Sequence, residues 1–417
     1  MTVPCRRRPD CRLCGSRELV NALRLTPTPL ANAFVTRAGL GAADPVYPLE
    51  LALCAACGHL QLRDVVDAQA LFGDYVYVSG TSPAFVRHFE RYAQDLAAHA
   101  PVRPGALVID VGSNDGTLLG FFKARGCRVV GVDPARAIAE RATAAGIETL
   151  PEFFGVELAR RIAREHGRAA LVMANNVFAH VDDLAGFVQA VRALLAPEGL
   201  FAFEVSYLAD VYEHCLFDTI YHEHLDYHAV APLVGFFTRQ GMRLVRTERV
   251  ATHGGSIRGL ARAAGAGVAP DGSVEALVAH EKSLGLERAA TYAAFAQRID
   301  GVKRELGRVL AQMKAAGASV AGFGAPAKAT TLMYHLEIGP EIVDFIVDDS
   351  PLKQGLYSPG LHVPIVAGAE IAARKPDVLL LLAWNFAGPI IAKHEAFLRA
   401  GGRFVVPLPE VRIVASS

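Results

Sequence analysis

The segment Tyr221-His222-Glu223-His224, running on through Leu225-Asp226-Tyr227-His228, crowds imidazoles, phenols and carboxylates into eight residues. Two chemistries are open to it. The H-x-H and H-x-x-x-H spacings could ligate zinc, although no H-E-x-x-H accompanies them. The other chemistry is proton transfer, because imidazole titrates near neutral pH and a neighbouring glutamate can orient it. A solvated loop would explain one isolated histidine. It explains less well a cluster that follows the fifth strand of an α/β pattern, and acid–base catalysis is the expectation here.

A second constellation accounts for zinc without those histidines. Cys11-x-x-Cys14 and Cys54-x-x-Cys57 are two knuckles separated by 39 residues. Two thiolates from each complete a tetrahedral Zn–S₄ site, with no position left open for catalysis. A redox role is disfavoured because neither pair lies between a strand and a helix of a βαβ unit. The interval exceeds ordinary ribbon spacing, so an extra hairpin or loop must sit between the knuckles. Gly15 and Gly58 supply the tight turns. Cys5 is expected as a free surface thiol in a frayed tail, and Cys127 and Cys215 as buried single cysteines.

Positioning such groups requires a scaffold, and it begins at Leu107. Leu107-Val108-Ile109-Asp110-Val111 reads as a buried strand leading into Gly112-Ser113-Asn114-Asp115-Gly116-Thr117, then a helix over 118–125. A second strand, Val129 to Val132, ends on Asp133. This is the opening βαβ of a nucleotide-type Rossmann fold. The turn departs from G-x-G-x-x-G: Asn114 replaces the second glycine, and Asp115 adds a carboxylate. That charge repels a pyrophosphate but suits the sulfonium and ammonium of S-adenosylmethionine (SAM), the cofactor expected here. Further strands follow at Ile147–Leu150, Ala170–Ala174 and Leu200–Val205, with the last two of the unit near 243–249 and 256–262. Ligands gather beyond the carboxyl ends of such strands. Gly112, Asn114, Asp115, Asp133, Phe154 and Asn175 are therefore the cofactor candidates, and His180 lies a few residues further, toward a substrate.

Two flanking stretches carry less specific signals. Tyr75 and Tyr77, two apart before a Ser-Gly-Thr turn, fit either a plain strand or a lid with one phenol in the site. Residues 274–313 are helical in period, broken at Gly285 and Gly301, and read as a connector between domains. A second α/β unit then starts with Ala318–Gly324 and a helix opening at Ala325-Pro326-Ala327-Lys328-Ala329-Thr330-Thr331. Lys328 and Thr330 at a helix N-terminus suit a phosphate. Arg403–Pro407 is expected at the sheet edge.

Composition narrows the class. The 417 residues are too many for one core. The 42 basic and 42 acidic residues balance, giving no sign of a nucleic-acid or membrane-surface partner. No apolar run reaches the roughly 18 residues of a spanning helix, and Arg6-Arg7-Arg8 has no apolar segment behind it. A cytoplasmic protein with reduced thiols is expected.

Taken with Asp110-Val111-Gly112-Ser113-Asn114-Asp115-Gly116-Thr117, Tyr221-His222-Glu223-His224 and Gly322-Phe323-Gly324-Ala325-Pro326-Ala327-Lys328, the chain resembles the zinc-containing SAM-dependent C-methyltransferases of deoxysugar biosynthesis over essentially its whole length. The resemblance implies an α/β chain of three parts: a Cys₄ zinc-binding domain at 1–70, a class I SAM methyltransferase Rossmann-like domain at 71–270, and a second Rossmann-like α/β domain at 271–417 that takes the nucleotide part of the substrate. It implies a nucleotide-linked 4-keto-6-deoxyhexose as substrate, methylated on a carbon beside the ketone. The residues suit that chemistry. His224 is the expected base, Glu223 its orienter or relay, and Tyr221 or His180 the donor to an enolate oxygen, with base and relay exchangeable among His180, His224 and Tyr221. The family also brings a tyrosine from ahead of the Rossmann unit to the sugar, here Tyr75, with Tyr77 and Asn176 as further sugar contacts. A monomer or weak homo-oligomer is expected. The competing expectations are an O- or N-methyltransferase on a sugar or small metabolite, and an RNA methyltransferase with a zinc knuckle, which the balanced charge disfavours.

Overall fold

The computed structural model describes residues 3–73, 79–81 and 83–416, apart from the side chains of Thr81, Pro83, Ala84 and His253; Tyr75 and Tyr77 lie outside the described residues. The N-terminal part contains β1 (Cys5–Arg7), β2 (Leu19–Thr28), β3 (Tyr47–Cys54), β4 (Leu60–Leu62) and β5 (Asp64–Val66). β2 and β3 form the hairpin that the long interval between the knuckles requires, and Leu23, Leu25, Leu49, Leu51 and Leu53 fill its buried side. Gly15 and Gly58 take positive φ, as the knuckle turns demand. Cys5 is exposed, but it does not sit in a frayed tail: β1 pairs antiparallel with β5, matching Cys5 to Val66.

The central part contributes β6 (Leu107–Val111), β7 (Arg128–Val132), β8 (Thr149–Leu150), β9 (Ala169–Asn175), β10 (Leu195–Ser206), β11 (Asp226–Tyr227), β12 (Met242–Val250) and β13 (Ser256–Ala263). All but β11 form one sheet in the order β12-β13-β10-β9-β6-β7-β8, parallel except for β13. Every residue of β6 is buried, because helices cover both faces of a doubly wound sheet. Strand order reverses between β6 and β9, so the crevice for a ligand opens beyond their carboxyl ends. This is the expected Rossmann-like methyltransferase arrangement. β11 does not join it. It pairs with β4, so the histidine-rich stretch supplies the fourth strand of the N-terminal sheet.

The connector is two helices, Ser273–Leu284 and Ala289–Ala315. Gly285 ends the first in a left-handed cap, as expected. The second runs unbroken through Gly301, because burial of Tyr292, Phe295, Ile299, Leu306 and Leu310 on one side outweighs one glycine's modest helix penalty. The C-terminal sheet is β14 (Val320–Phe323), β15 (Ile346–Val347), β16 (Ile365–Val366), β17 (Val378–Leu381), β18 (Arg403–Val406) and β19 (Arg412–Val414), ordered β16-β15-β14-β17-β18-β19. β18 is not an edge strand: the chain turns back after it, and β19 pairs antiparallel outside it. Among the described residues, no helix is long and apolar enough to cross a membrane.

Candidate active site

The loop after β6 is shaped by close backbone approach. Gly112 has φ +71°, and a Cβ there would lie 2.2 Å from Cγ2 of Val177, on the loop after β9. Asp133, at the end of β7, accepts the backbone N–H groups of Asn114 and Ala135, each at 2.9 Å. Burial pushes its carboxyl up, and those two bonds oppose the shift. The side chains of Asn114 and Asp115, expected at the cofactor, also make contacts within the protein. Asn114 accepts from the Ser79 N–H (2.9 Å) and Asp115 from the Gly80 N–H (2.8 Å), tying the segment ahead of the Rossmann unit across the crevice mouth. The other Asp115 oxygen caps the next helix through Thr117.

Asn175 ends β9 at the switch point. Both polar atoms of its amide are buried and have no hydrogen-bond partner among the described residues, and Oδ1 of Asp110 is in the same condition. Buried polar atoms without partners are costly, so such a set at a crevice fits a polar ligand such as SAM. Phe154, half-buried beyond β8, packs edge-on against Phe187 at 5.2 Å. Asn176 adopts a left-handed backbone, and its N–H donates to the Glu204 carbonyl at 2.7 Å.

Four rings line up beside that crevice. Phe72 stacks on His180 (5.4 Å, 8°), His180 on His224 (5.1 Å, 28°), and the Tyr221 ring lies 4.1 Å from His224. His180 is held well below the usual imidazole range, first by burial and then by the His224 ring, and is therefore neutral. The loop carrying it is clamped two residues on. Asp182 is paired with Arg6, Arg8 and the buried Arg12. Burial would raise the Asp182 carboxyl, and those arginines outweigh it and hold it low. His224 Nδ1 lies 2.8 Å from the Thr219 carbonyl oxygen. A carbonyl only accepts, so Nδ1 carries the hydrogen, and in the neutral ring the lone pair is on Nε2.

Glu223 is not the group on Nδ1 of His224. Its Oε1 accepts from Asn32 Nδ2 at 2.7 Å, a contact with the N-terminal part. A cleft beside it is lined by Arg6, Asp67, Phe72, His180, Asp182 and Glu223 among others. The remaining histidines are core groups. His222 donates to the Pro48 carbonyl (3.2 Å) and His228 to the Phe178 carbonyl (3.3 Å), and burial pushes both down to about 4. They form no metal cluster among the described residues, so the zinc reading of the H-x-H spacing falls away.

Cys11, Cys14, Cys54 and Cys57 do converge. Their sulfurs lie within 4.8 Å of one another, with Cys11–Cys57 at 3.6 Å and Cys14–Cys54 at 3.5 Å. A tetrahedron with Zn–S near 2.3 Å places sulfurs about 3.8 Å apart, so the set fits zinc and fills its coordination.

At the helix Lys328–His335 the residues expected to meet a phosphate also make contacts within the protein. Thr330 Oγ1 donates to the Ala31 carbonyl (3.2 Å) and Thr331 Oγ1 to the Ile220 carbonyl (2.8 Å). Lys328 Nζ lies 3.7 Å from buried Asp218 and 3.9 Å from the centre of the Trp384 ring. Burial pushes Asp218 up and Lys328 down, each opposed by the other's charge. Thr330 thus spends its hydroxyl hydrogen on the backbone, whereas Lys328 Nζ is buried beside Asp218 and Trp384 with no hydrogen-bond partner among the described residues.

Sequence reasoning missed Asn32, Asp218, Thr219, Trp384 and Glu204. Glu204, buried at the end of β10, accepts from His88 and Thr252 (both 2.9 Å) and pairs with Arg258 (3.0 Å). An acid ending a parallel strand was a signal for it. Thr219 acts through a backbone carbonyl, which no residue type announces.

Family models match three consecutive regions: "Putative zinc binding domain" over residues 11–72, "Methyltransferase domain" over 85–247, and "C-methyltransferase C-terminal domain" over 251–409. The chain is 37% identical over 407 residues to C-methyltransferase NovU of Streptomyces niveus, covering 98% of this chain and 97% of that protein. Among solved structures, it is similar to a SAM-dependent methyltransferase from Anabaena variabilis (15% identity, 45% of this chain, 88% of that one, TM-score 0.36). It is also similar to the magnesium protoporphyrin IX methyltransferase of Synechocystis with bound SAM (16% identity, 43% and 79%, TM-score 0.33).

Proposed function

The chain belongs to the zinc-containing SAM-dependent C-methyltransferase family, and from that premise we propose that it methylates the carbon beside the ketone of a nucleotide-linked 4-keto-6-deoxyhexose. In this reading residues 1–70 are the zinc unit, 71–270 the methyl-transferring unit, and 271–417 the unit that takes the nucleotide. Gly112, Asn175, Asp133 and Phe154 hold SAM, which when bound supplies an electrophilic methyl on a sulfonium.

The observation that carries the reading is the tautomer of His224. With Nδ1–H engaged by Thr219, Nε2 is the nitrogen that would act as the base, on a ring set between Tyr221 and His180. A C–H beside a ketone is many pK units too weak an acid for imidazole alone, so the enolate oxygen needs a donor as its charge develops. His180 suits that role as a neutral N–H donor, because its depressed basicity keeps it from competing for the proton. The Tyr221 phenol is the second donor. Glu223, fixed by Asn32 at the cleft wall, suits a hydroxyl of the sugar or onward relay of the proton, and Asn176, Tyr75 and Tyr77 complete the sugar contacts.

The test is deuterium wash-in. Incubated in D₂O without SAM, the enzyme should exchange the hydrogen beside the ketone of a nucleotide-linked 4-keto sugar. Methyl transfer to oxygen or nitrogen with no such exchange would overturn the C–H activation step.

A further inference from the structure

We propose that Asp218, Lys328, Trp384 and Thr331 are positioning residues for the His224 base: the C-terminal part grips the turn whose carbonyl fixes that imidazole. The turn is the 3₁₀ segment Phe217–Thr219 followed by Ile220. Asp218 is fully buried, and its Oδ2 accepts from Trp384 Nε1 at 2.5 Å. Lys328 Nζ sits against both partners, 3.7 Å from that oxygen and 3.9 Å from the indole centre. Thr331, fully buried one helical turn on, donates to the Ile220 carbonyl at 2.8 Å. Thr219, whose carbonyl holds His224 Nδ1, lies between the two gripped residues. Tyr221 follows immediately.

The same helix reaches the opposite wall. Thr330 donates to the carbonyl of Ala31, and the neighbouring Asn32 holds Glu223. One short helix of the C-terminal part is thereby bonded on both sides of the reacting segment.

The chemistry of the grip argues for placement rather than adhesion. A buried ion pair gives little net stability over apolar side chains of the same volume, since desolvation offsets its attraction. Its merit is geometric: it fits one register only. Proton abstraction from carbon needs that register, because a base displaced by about 1 Å loses orders of magnitude in rate.

The proposal rests on the reading of His224 as the base, and the experiment separates the two. Thr331→Val keeps the side-chain shape and removes the hydroxyl; Thr331→Ser keeps the hydroxyl. Lys328→Met removes the charge at similar length. SAM-independent deuterium exchange and methyl transfer are measured per folded enzyme, alongside KM for SAM. Thr331→Val and Lys328→Met should each lower exchange and kcat together by about tenfold, with KM for SAM unchanged and Thr331→Ser near wild type. Trp384 is the single tryptophan of the chain, so its emission reads the grip directly. Lys328→Met and Asp218→Asn should shift that emission. Wild-type exchange in both Thr331→Val and Lys328→Met, with His224→Ala inactive, would overturn the positioning role and leave the base standing. Wild-type exchange in His224→Ala would instead remove the base assignment. Unshifted tryptophan emission in Asp218→Asn and Lys328→Met would also overturn the grip.

Discussion

His224 Nδ1 and the carbonyl oxygen of Thr219, five residues back along the chain, are 2.8 Å apart, and this contact decides which ring nitrogen can receive a proton. With Nδ1–H committed to the backbone, the imidazole cannot flip without losing a hydrogen bond. His224→Ala should lower kcat by about 10²–10⁴, the usual cost of losing a general base, while SAM still binds. Steady-state turnover together with calorimetric SAM titration checks both halves. Undiminished turnover would transfer the role to His180 or Tyr221.

Gly112 is required twice over, by its φ of +71° and by Val177 filling the space a Cβ would take. Gly112→Ala should destabilise the protein by about 1–3 kcal/mol and abolish SAM binding. Adding Val177→Ala should recover the steric part of the loss and leave the backbone part. Chemical denaturation of the single and double variants measures each share.

The unpartnered amide of Asn175 gives an asymmetric expectation. Removing a buried polar group that bonds nothing costs the unliganded protein little. Asn175→Ala should leave the unliganded melting temperature within a few degrees of wild type and weaken SAM by about tenfold or more. A variant that melts much earlier, or binds SAM normally, would show that the amide serves the fold instead.

His222 and His228 are buried neutral, with burial pushing each down to about 4. Unfolded, they titrate near 6.5, so as pH falls from about 6.5 toward 4 the unfolded chain binds more protons than the folded one. Their contribution is intact above about 6.5. It is lost at about 1.4 kcal/mol per pH unit for each histidine on the way down. Stability measured by denaturant from pH 7 to pH 4 should decline with that slope, and His222→Phe should flatten it.

The Cys₄ cluster fills all four positions around zinc, leaving the ion no reacting partner. Chelation, or Cys54→Ser, should abolish activity only together with loss of the N-terminal sheet's circular-dichroism signal. Activity lost from an otherwise intact fold would assign zinc a direct chemical role.

Much of this was legible in the residues. The Cys pairs, the Gly112 turn and the succession of strands and helices around Asp133 follow from local pattern, because each is a short-range device with its own spacing. Gly301 misled because a helix tolerates one glycine when its flank is buried, and burial is a tertiary fact. The surroundings of Lys328 and Thr330 were illegible for the same reason: their types suit an anion, but their neighbours include Asp218 and the Ala31 carbonyl, more than 100 residues away. Glu223 and His224 are neighbours in sequence and take different partners in space, one from the N-terminal part and one from the backbone.

The pairing of β11 with β4 has a consequence for anyone recombining these proteins. A chimera that swaps the metal-bearing first seventy residues for those of a relative also replaces the edge to which the histidine-rich stretch is sewn. Donor and recipient would then have to agree at Gln61–Asp226 and Leu60–Tyr227, so crossovers should carry residues 216–228 along with the cysteines or yield a folded but idle hybrid.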